Sequence, residues 1–196
     1  MPYSAIMLGA TGNVGGRIVQ LLIGNPLCRK VVVVTRRKTN AFADPKVSEV
    51  VVNMDRLEEE VAPYAQGVDI ALAAFGVGKG SAKMPEEAVR KIEIAYPQAF
   101  CHAAMAGGAR ACGVMTAAGA DPDAGMKYAK IIGEKERLSS PSSSTSLDCI
   151  VLPSFSATPT RRASLAMSCH CCTWPCHPST TRSTRTTLRA RWRVRC

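Results

Sequence analysis

The sequence predicts an α/β fold on a parallel sheet, in which short strands alternate with helices. Three observations support this prediction: apolar or β-branched runs of strand length recur, helix-length connections separate them, and a glycine-rich turn follows the first run. The chain has 196 residues, of which 46% are hydrophobic and 20% are charged. These values suit one globular domain with a sizeable core.

The first strand, turn and helix occupy the first 26 residues. Residues 4–9 are mostly apolar, as expected for a strand that is buried on both faces. From Asn13 to Ile23 the apolar residues recur at helical spacing, and Gly24 to Pro26 end the helix.

We predict five further strands, at residues 30–35, 49–53, 68–75, 111–116 and 147–152. A long helix begins at Pro85, because proline and the two acids after it suit a first helical turn. This helix reaches Met105, with a kink or break at Pro97. The last helix covers residues 127–138. Right-handed crossovers then give a doubly wound parallel sheet of the Rossmann type, with about six strands and helices on both faces.

The composition changes after Phe155. Residues 139–146 are rich in serine and read as a linker, and residues 156–196 contain no glycine, lysine or acid. Such a segment cannot bury a core, so we predict a Rossmann domain at 1–155 and a disordered C-terminal tail at 156–196. We hypothesise that the tail is an out-of-frame translation, which resequencing of the transcript would test.

The formal net charge of +10 belongs mostly to this tail. Eight arginines and no acid follow Asp148, so the body of the chain is close to neutral. We therefore predict no specific nucleic-acid partner, although the arginines suit non-specific binding to nucleic acid or acidic membrane. The cysteines and histidines between Cys169 and His177 match no paired zinc pattern, so we predict no metal site.

The location of the protein is predicted from two further features. The most apolar run, Ile70 to Val77, is too short to span a bilayer, although peripheral membrane association stays open. The N-terminus has no basic region before an apolar run, so we expect a cytoplasmic protein. In a reducing compartment, the scattered cysteines of the body are expected to be small buried hydrophobic residues.

The glycine-rich turn GATGNVGG at residues 9–16 has the context of a dinucleotide site, between a strand and a helix. Gly9 permits the tight turn, Gly12 lets a pyrophosphate approach the backbone, and Gly15 or Gly16 lets the helix pack on the sheet. The predicted phosphate contacts are the backbone N–H groups of Thr11, Gly12, Asn13 and Val14.

The residues after the second strand predict which dinucleotide binds. An NAD site has an acid there for the ribose 2′-hydroxyl, whereas this chain has Arg36, Arg37 and Lys38. These cations predict a preference for the 2′-phosphate of NADP(H), with a solvated basic loop as the alternative.

Two further positions are candidates for contact with the dinucleotide. Asp55 is either an adenine contact or a simple helix cap. The small residues around Phe75 suit either passage of the nicotinamide half or a crowded core, and the candidates there are Ala74, Phe75 and Gly76.

These motifs together resemble those of the atypical short-chain dehydrogenases. The motifs are GATGNVGG, VVVVTRRK, VVNMD, AAFGVGKG and, most specifically, AGGARACGVMTAAGADPDAGMKYAKIIGE at residues 106–134. The resemblance covers roughly residues 3–155 and is closest to the oxidoreductase group of the Tat-interactive tumour-suppressor protein. It implies an NADPH-bound Rossmann fold with a Ser-Tyr-Lys catalytic set. The group includes fungal proteins of the mitochondrial outer membrane, which implies that surface as an alternative location.

The implied catalytic set is incomplete in this chain. Tyr128 matches the tyrosine that exchanges a proton with the substrate oxygen, and Thr116 stands at the first of two serine positions. The expected lysine, four residues after the tyrosine, is Ile132, and Lys130 points to another side of the helix. We therefore expect weak or absent turnover of a small carbonyl substrate, and Tyr128 as an ordinary half-buried tyrosine stays an alternative.

Two functions follow from this pattern. The first is an NADP(H)-binding, short-chain-dehydrogenase-like oxidoreductase. The second is a non-catalytic dinucleotide-binding scaffold or a redox-sensing interaction protein.

Overall fold

A computed structural model describes residues 1–139 of the chain. The strands of this part form one parallel sheet in the order β3-β2-β1-β4-β5. They are β1 (Tyr3–Leu8), β2 (Cys28–Thr35), β3 (Val47–Val51), β4 (Ile70–Ala73) and β5 (Ala111–Val114). This confirms the predicted Rossmann-type α/β fold. The predicted sixth strand at 147–152, the serine-rich linker and the tail at 156–196 lie outside the described residues.

The helices of the described part are α1 (Asn13–Gly24), α2 (Leu57–Ala65), α3 (Glu86–Arg90), α4 (Tyr96–Ala106) and α5 (Lys127–Ser139). Short 3-10 turns lie at Met54–Arg56 and Gly78–Lys83. A π-helical segment, Lys91–Ala95, joins α3 to α4.

The two faces of the sheet bury separate clusters. Ile6 and Leu8 of β1 belong to a cluster that includes buried side chains of α2 and α4. Ala5 and Met7 belong to a second cluster, which includes Val19 of α1. The alternation along β1 therefore places helices on both faces, as predicted.

Three local features differ from the predictions or go beyond them. Residues 36–46, between the parallel neighbours β2 and β3, form a loop without a helix, although helix-length connections were expected to separate the strands. The helix α2 was not predicted, since Pro63 and a run of acids obscure its apolar spacing. At Pro97 the helix changes type: the π-helical segment Lys91–Ala95 is closed by a hydrogen bond from Tyr96 N–H to Lys91 O, and α4 begins with Pro97 in its first turn.

The body cysteines depart in part from the expectation of simple buried hydrophobic residues. Cys28 is buried and free. Cys101 of α4 and Cys112 of β5 are also buried, and they form a disulfide. Among the described residues, no helix has the length and apolar character to cross a membrane.

Candidate functional site

Two adjoining cavities lie at the carboxyl ends of β1 and β4, where the strand order reverses. The larger one, of about 420 Å³, is called here the turn cavity, and it is bounded by the glycine turn and the loop after β2. The smaller one, of about 250 Å³, is called the Tyr128 cavity, and it is lined by Glu93, Thr116 and Tyr128. Gly12, Ala74 and Gly76 line both cavities, so the two form one cleft.

Most of the predicted cofactor residues line this cleft. Those at the turn cavity are Gly9, Thr11, Gly12, Arg36, Arg37, Ala74, Phe75 and Gly76. Asn13 and Val14 line the Tyr128 cavity. Gly15 and Asp55 are in neither lining.

Gly9 and Gly15 are required by the packing of the turn itself. Gly9 has a φ of +84°, and a Cβ there would lie 2.4 Å from the carbonyl oxygen of Ala74. A Cβ on Gly15 would lie 2.1 Å from the carbonyl oxygen of Gly9. Gly15 rather than Gly16 therefore brings α1 into close contact with the end of β1.

Gly12 differs from these two glycines because protein packing does not require it. Its φ of −77° and ψ of 164° are ordinary for any residue, and a Cβ would meet Gly9 O only at 3.4 Å. Gly12 is also the N-cap of α1, where no side-chain hydrogen bond caps the helix and no acid lies in the first turn. The positive end of a 12-residue helix thus faces a cleft that lacks a Cβ at this point.

The loop after β2 is held by an acid that the sequence analysis missed. The carboxylate of Glu49 accepts hydrogen bonds from Thr39 N (2.7 Å), Thr39 Oγ1 (2.7 Å) and Asn40 N (2.9 Å). Burial raises the pKa of Glu49, but these hydrogen bonds outweigh it and hold the pKa below its usual value. Glu49 therefore anchors the loop that carries the exposed Arg36 and Arg37, and its oxygens are already engaged there.

The carboxylate of Asp55 lies away from the turn cavity. Its Oδ1 atom lies 2.7 Å from Lys91 Nζ and accepts a hydrogen bond from Tyr96 Oη at 3.2 Å. The hydrogen bond and charge of Lys91, with help from Tyr96, lower the pKa of Asp55. Asp55 Oδ1 is thus engaged by Lys91 and Tyr96, and the adenine contact from Asp55 stays a prediction.

The Tyr128 cavity brings together the two predicted catalytic residues. Thr116 follows β5 and is only 7% exposed, and among the described residues its Oγ1 has no hydrogen-bond partner. Ile132, at the position of the expected lysine, lines the same cavity and is 1% exposed. Lys130 is exposed and does not line it, as predicted from the helical spacing.

A buried ion pair between Glu93 and Lys135, which the sequence analysis also missed, lies next to this cavity, and Glu93 is part of its lining. Glu93 of the π-helical segment and Lys135 of α5 are joined at 3.1 Å, with side chains 3% and 2% exposed. Glu93 Oε1 accepts hydrogen bonds from Val77 N at 2.9 Å and from Tyr128 Oη at 3.3 Å. A Cβ on Gly76 would lie 2.7 Å from Glu93 Oε1, so this glycine makes room for the carboxylate.

The ionisation of Tyr128 follows from these contacts. Burial, followed by the charge of Glu93 and the hydrogen bond to it, raises the pKa of Tyr128 to about 12. The phenol is therefore protonated at neutral pH, which suits a proton donor and opposes a proton acceptor.

The sequence contained weak signals for the buried Glu93–Lys135 ion pair. Glu93 lies four residues after the buried Val89 and seven before the buried Phe100, so it occupies a position of the apolar stripe of the helix. Lys135 lies seven residues after Tyr128, which places both on one side of α5.

Comparison with known proteins agrees with this geometry. The chain is 27% identical over 135 residues to Protein FMP52, mitochondrial, of Candida albicans, covering 68% of this chain and 58% of that protein. It is also 27% identical over 135 residues to Protein HTATIP2 of Rattus norvegicus, covering 68% and 54%. No family model matches the chain.

Solved structures share the fold. Pen from Bacillus thuringiensis superposes with a TM-score of 0.61 at 15% identity, covering 70% of this chain and 45% of that one. MoeE5 in complex with UDP-glucose and NAD gives a TM-score of 0.57 at 15% identity, covering 76% and 52%. The chain therefore resembles these two curated proteins in sequence and has the Rossmann-type fold of the solved structures.

The chain spans between half and three-fifths of the length of the two curated relatives described above. Its described part contains the glycine turn, the loop after β2 and the cavity around Tyr128. Position 132, where the motif that it resembles has a lysine, is the buried Ile132, and the buried Lys135 pairs with Glu93, which accepts a hydrogen bond from Tyr128.

Proposed function

We propose that this chain binds NADP(H) along the cleft and reduces a small carbonyl compound slowly at Tyr128 and Thr116. The main support for this proposal is the continuous lining of the cleft. The lining of the two adjoining cavities runs from Arg36 and Arg37, past the bare backbone of Gly12, to the phenol of Tyr128.

The residues present fit a dinucleotide. The uncapped N-terminus of α1 at Gly12 suits the pyrophosphate, because backbone N–H groups and the helix dipole attract anions. Arg36 and Arg37 suit the 2′-phosphate, since guanidinium groups bind phosphate through paired hydrogen bonds. The nearby acid Glu49 is occupied by its own loop, so it does not offer the acceptor that NAD enzymes use for the ribose hydroxyl. When bound, the reduced nicotinamide supplies a hydride.

The side chains of the Tyr128 cavity suit the binding of the substrate carbonyl and the transfer of a proton to its oxygen. The unpartnered Thr116 hydroxyl donates to the substrate carbonyl oxygen and orients it. Tyr128 gives its phenolic proton to that oxygen while the carbonyl carbon accepts the hydride, and the product is an alcohol. A proton from solvent then restores the phenol.

We expect slow turnover because the charge that normally assists the phenol is not in its usual place. Ile132 is apolar, and the carboxylate that faces Tyr128 disfavours the phenolate. The alternative function is a non-catalytic scaffold or redox-sensing interaction protein that binds the dinucleotide in the same cleft without turnover. The buried Lys135–Glu93 pair, which fills the space behind the phenol, is compatible with either function.

Fluorescence titration with NADPH and NADH tests the cofactor preference. Arg36→Ala and Arg37→Ala are each expected to weaken NADPH binding about tenfold and to leave NADH binding within about twofold. Arg29→Ala is the matched control, because Arg29 is an exposed arginine near the amino end of β2 and away from the cleft. Equal losses for NADPH and NADH would refute a contact with the 2′-phosphate.

Turnover separates the two candidate functions. The full chain is mixed with NADPH and a panel of aldehydes and ketones, and NADPH consumption is compared with that of Tyr128→Phe. Consumption that is lost in the variant supports the reductase. Tight NADPH binding without consumption supports the scaffold or sensor.

We also propose a cytoplasmic location, with the mitochondrial surface as the alternative. The name of the Candida albicans relative, which contains the word mitochondrial, favours the alternative. Fractionation of cells that express the tagged chain distinguishes the two.

A further inference from the structure

Tyr128 contacts a buried pair of charged side chains, whereas position 132, where its motif has a lysine, is the apolar Ile132. Its phenol donates to Glu93 Oε1 at 3.3 Å, and Glu93 Oε2 pairs with Lys135 Nζ at 3.1 Å. The two charged side chains are almost completely buried. A buried pair of this kind stabilises a fold only weakly against an apolar pair of the same volume, so its presence beside the cavity calls for a second role.

We propose that Lys135, acting through Glu93, is the positioning residue that supplies the positive charge behind Tyr128 in place of a lysine at Ile132. The inference rests on the proposed reductase function. Lys135 does not line the cavity, so it does not touch the substrate. It neutralises the carboxylate that the phenol faces, and it holds that carboxylate against both Tyr128 and Val77 N.

The geometry around the pair supports this role over a purely structural one. Glu93 lies in the π-helical segment, and Gly76 leaves the space that its carboxylate occupies. The pair therefore depends on one departure from regular helical structure, the π-helical segment, and on the small size of Gly76. Together these features leave the carboxylate within hydrogen-bond distance of the Tyr128 phenol.

The other charged side chains of α3 and α5 that are named here do not line the Tyr128 cavity. Among the described residues of the Tyr128 cavity lining, Glu93 is the charged one. Arg90 and Glu134 pair with each other across α3 and α5 on the more exposed side. Lys127 and Lys130 of α5 are exposed.

The ionisation of residue 128 in the chain without cofactor is the direct test. Difluorotyrosine is incorporated at position 128, because its phenol ionises at a lower and more accessible pH than the phenol of tyrosine, whose usual pKa is about 10. The midpoint of its titration is followed by ¹⁹F NMR. Lys135→Met is expected to raise this midpoint by about one pH unit, because the carboxylate then faces the phenol without a compensating charge. Lys130→Met, the matched control on the same helix, is expected to leave it unchanged.

A merely structural role for Lys135 predicts an unchanged midpoint in a folded Lys135→Met chain, and that result would overturn the proposal. If this variant does not fold, Glu93→Gln is compared with Glu93→Gln plus Lys135→Met, because these two chains differ only in the positive charge at position 135. The midpoint is expected to be higher in the double variant, since the positive charge that favours the phenolate is then absent. Equal midpoints in these two chains would equally overturn the proposal.

NADPH binding is measured on the same proteins. Failure of the parent chain to bind NADPH refutes the proposed function, whereas the titration of residue 128 decides the role of Lys135 independently of it.

Discussion

Replacement of Gly12 by alanine is expected to weaken NADPH binding strongly while leaving the fold intact. The backbone at Gly12 has an ordinary extended conformation, and the added Cβ meets protein only at 3.4 Å. The same substitution at Gly15 is the matched control with the opposite expectation. There the Cβ would lie 2.1 Å from the carbonyl oxygen of Gly9, which is backbone and cannot rotate away.

The expected changes in stability and in NADPH affinity follow from these two local geometries. For Gly12→Ala, the lower entropy of the unfolded chain and the poorer helix cap oppose each other, so the free energy of unfolding changes by at most about 1 kcal/mol. Loss of a charged hydrogen bond to a phosphate costs about 1.5–3 kcal/mol, which is about 10- to 100-fold in Kd for NADPH. For Gly15→Ala, overpacking costs about 1–3 kcal/mol or more, which lowers Tm by about 3–10 °C.

Thermal unfolding without cofactor and calorimetric titration with NADPH measure the two effects separately. Gly12→Ala is expected to keep the parent Tm and lose affinity, and Gly15→Ala is expected to lose Tm. Parent-like NADPH affinity in Gly12→Ala would refute the assignment of the turn as the phosphate site. A Tm loss in Gly12→Ala as large as that in Gly15→Ala would refute the distinction between the two glycines.

Three further predictions concern the region around Tyr128 and the disulfide. The pKa of Tyr128 is raised in the folded chain to about 12, above the usual value of about 10, so stability falls as pH rises between these values. Urea unfolding at pH 8 to 11 should show a shallower alkaline loss in Tyr128→Phe; equal slopes would contradict this. Ile132→Lys is expected to increase NADPH-dependent carbonyl reduction at pH 7 about tenfold and to lower Tm, because a charge enters a site that is 1% exposed. Unchanged or lower turnover in a folded variant would refute it. Reduction of the Cys101–Cys112 disulfide is expected to destabilise the chain by about 3 kcal/mol, and reductant should leave the Tm of Cys101→Ala with Cys112→Ala unchanged.

The first strand, the glycine turn and α1 were predictable because their signal is local. An apolar run, closely spaced glycines and helical periodicity act within the first 24 residues. The last helix of the described part, α5, was equally visible from its amphipathic spacing.

The features that were not predicted depend on contacts between distant segments. Whether a buried acid such as Glu93 has a partner depends on Lys135, which lies 42 residues further along the chain. The role of Glu49 depends on a loop that folds back over β3. Asp55 follows β3 as predicted, but its partners Lys91 and Tyr96 lie 36 and 41 residues further along the chain.

The direct crossover from β2 to β3 and the π-helical segment have no sequence signal of their own. The loop 36–46 has a length that also suits a short helix. Pro97 indicates an irregular helix, but it does not determine whether the chain bends, breaks or inserts a wider turn before it.

Calorimetric titration of the full chain with NADPH, and then with NADH, tests the central claim most directly. We predict saturable binding of NADPH at one site per chain, with an affinity at least about tenfold higher than that for NADH. Absence of NADPH binding to the folded chain, or tighter binding of NADH, would contradict it.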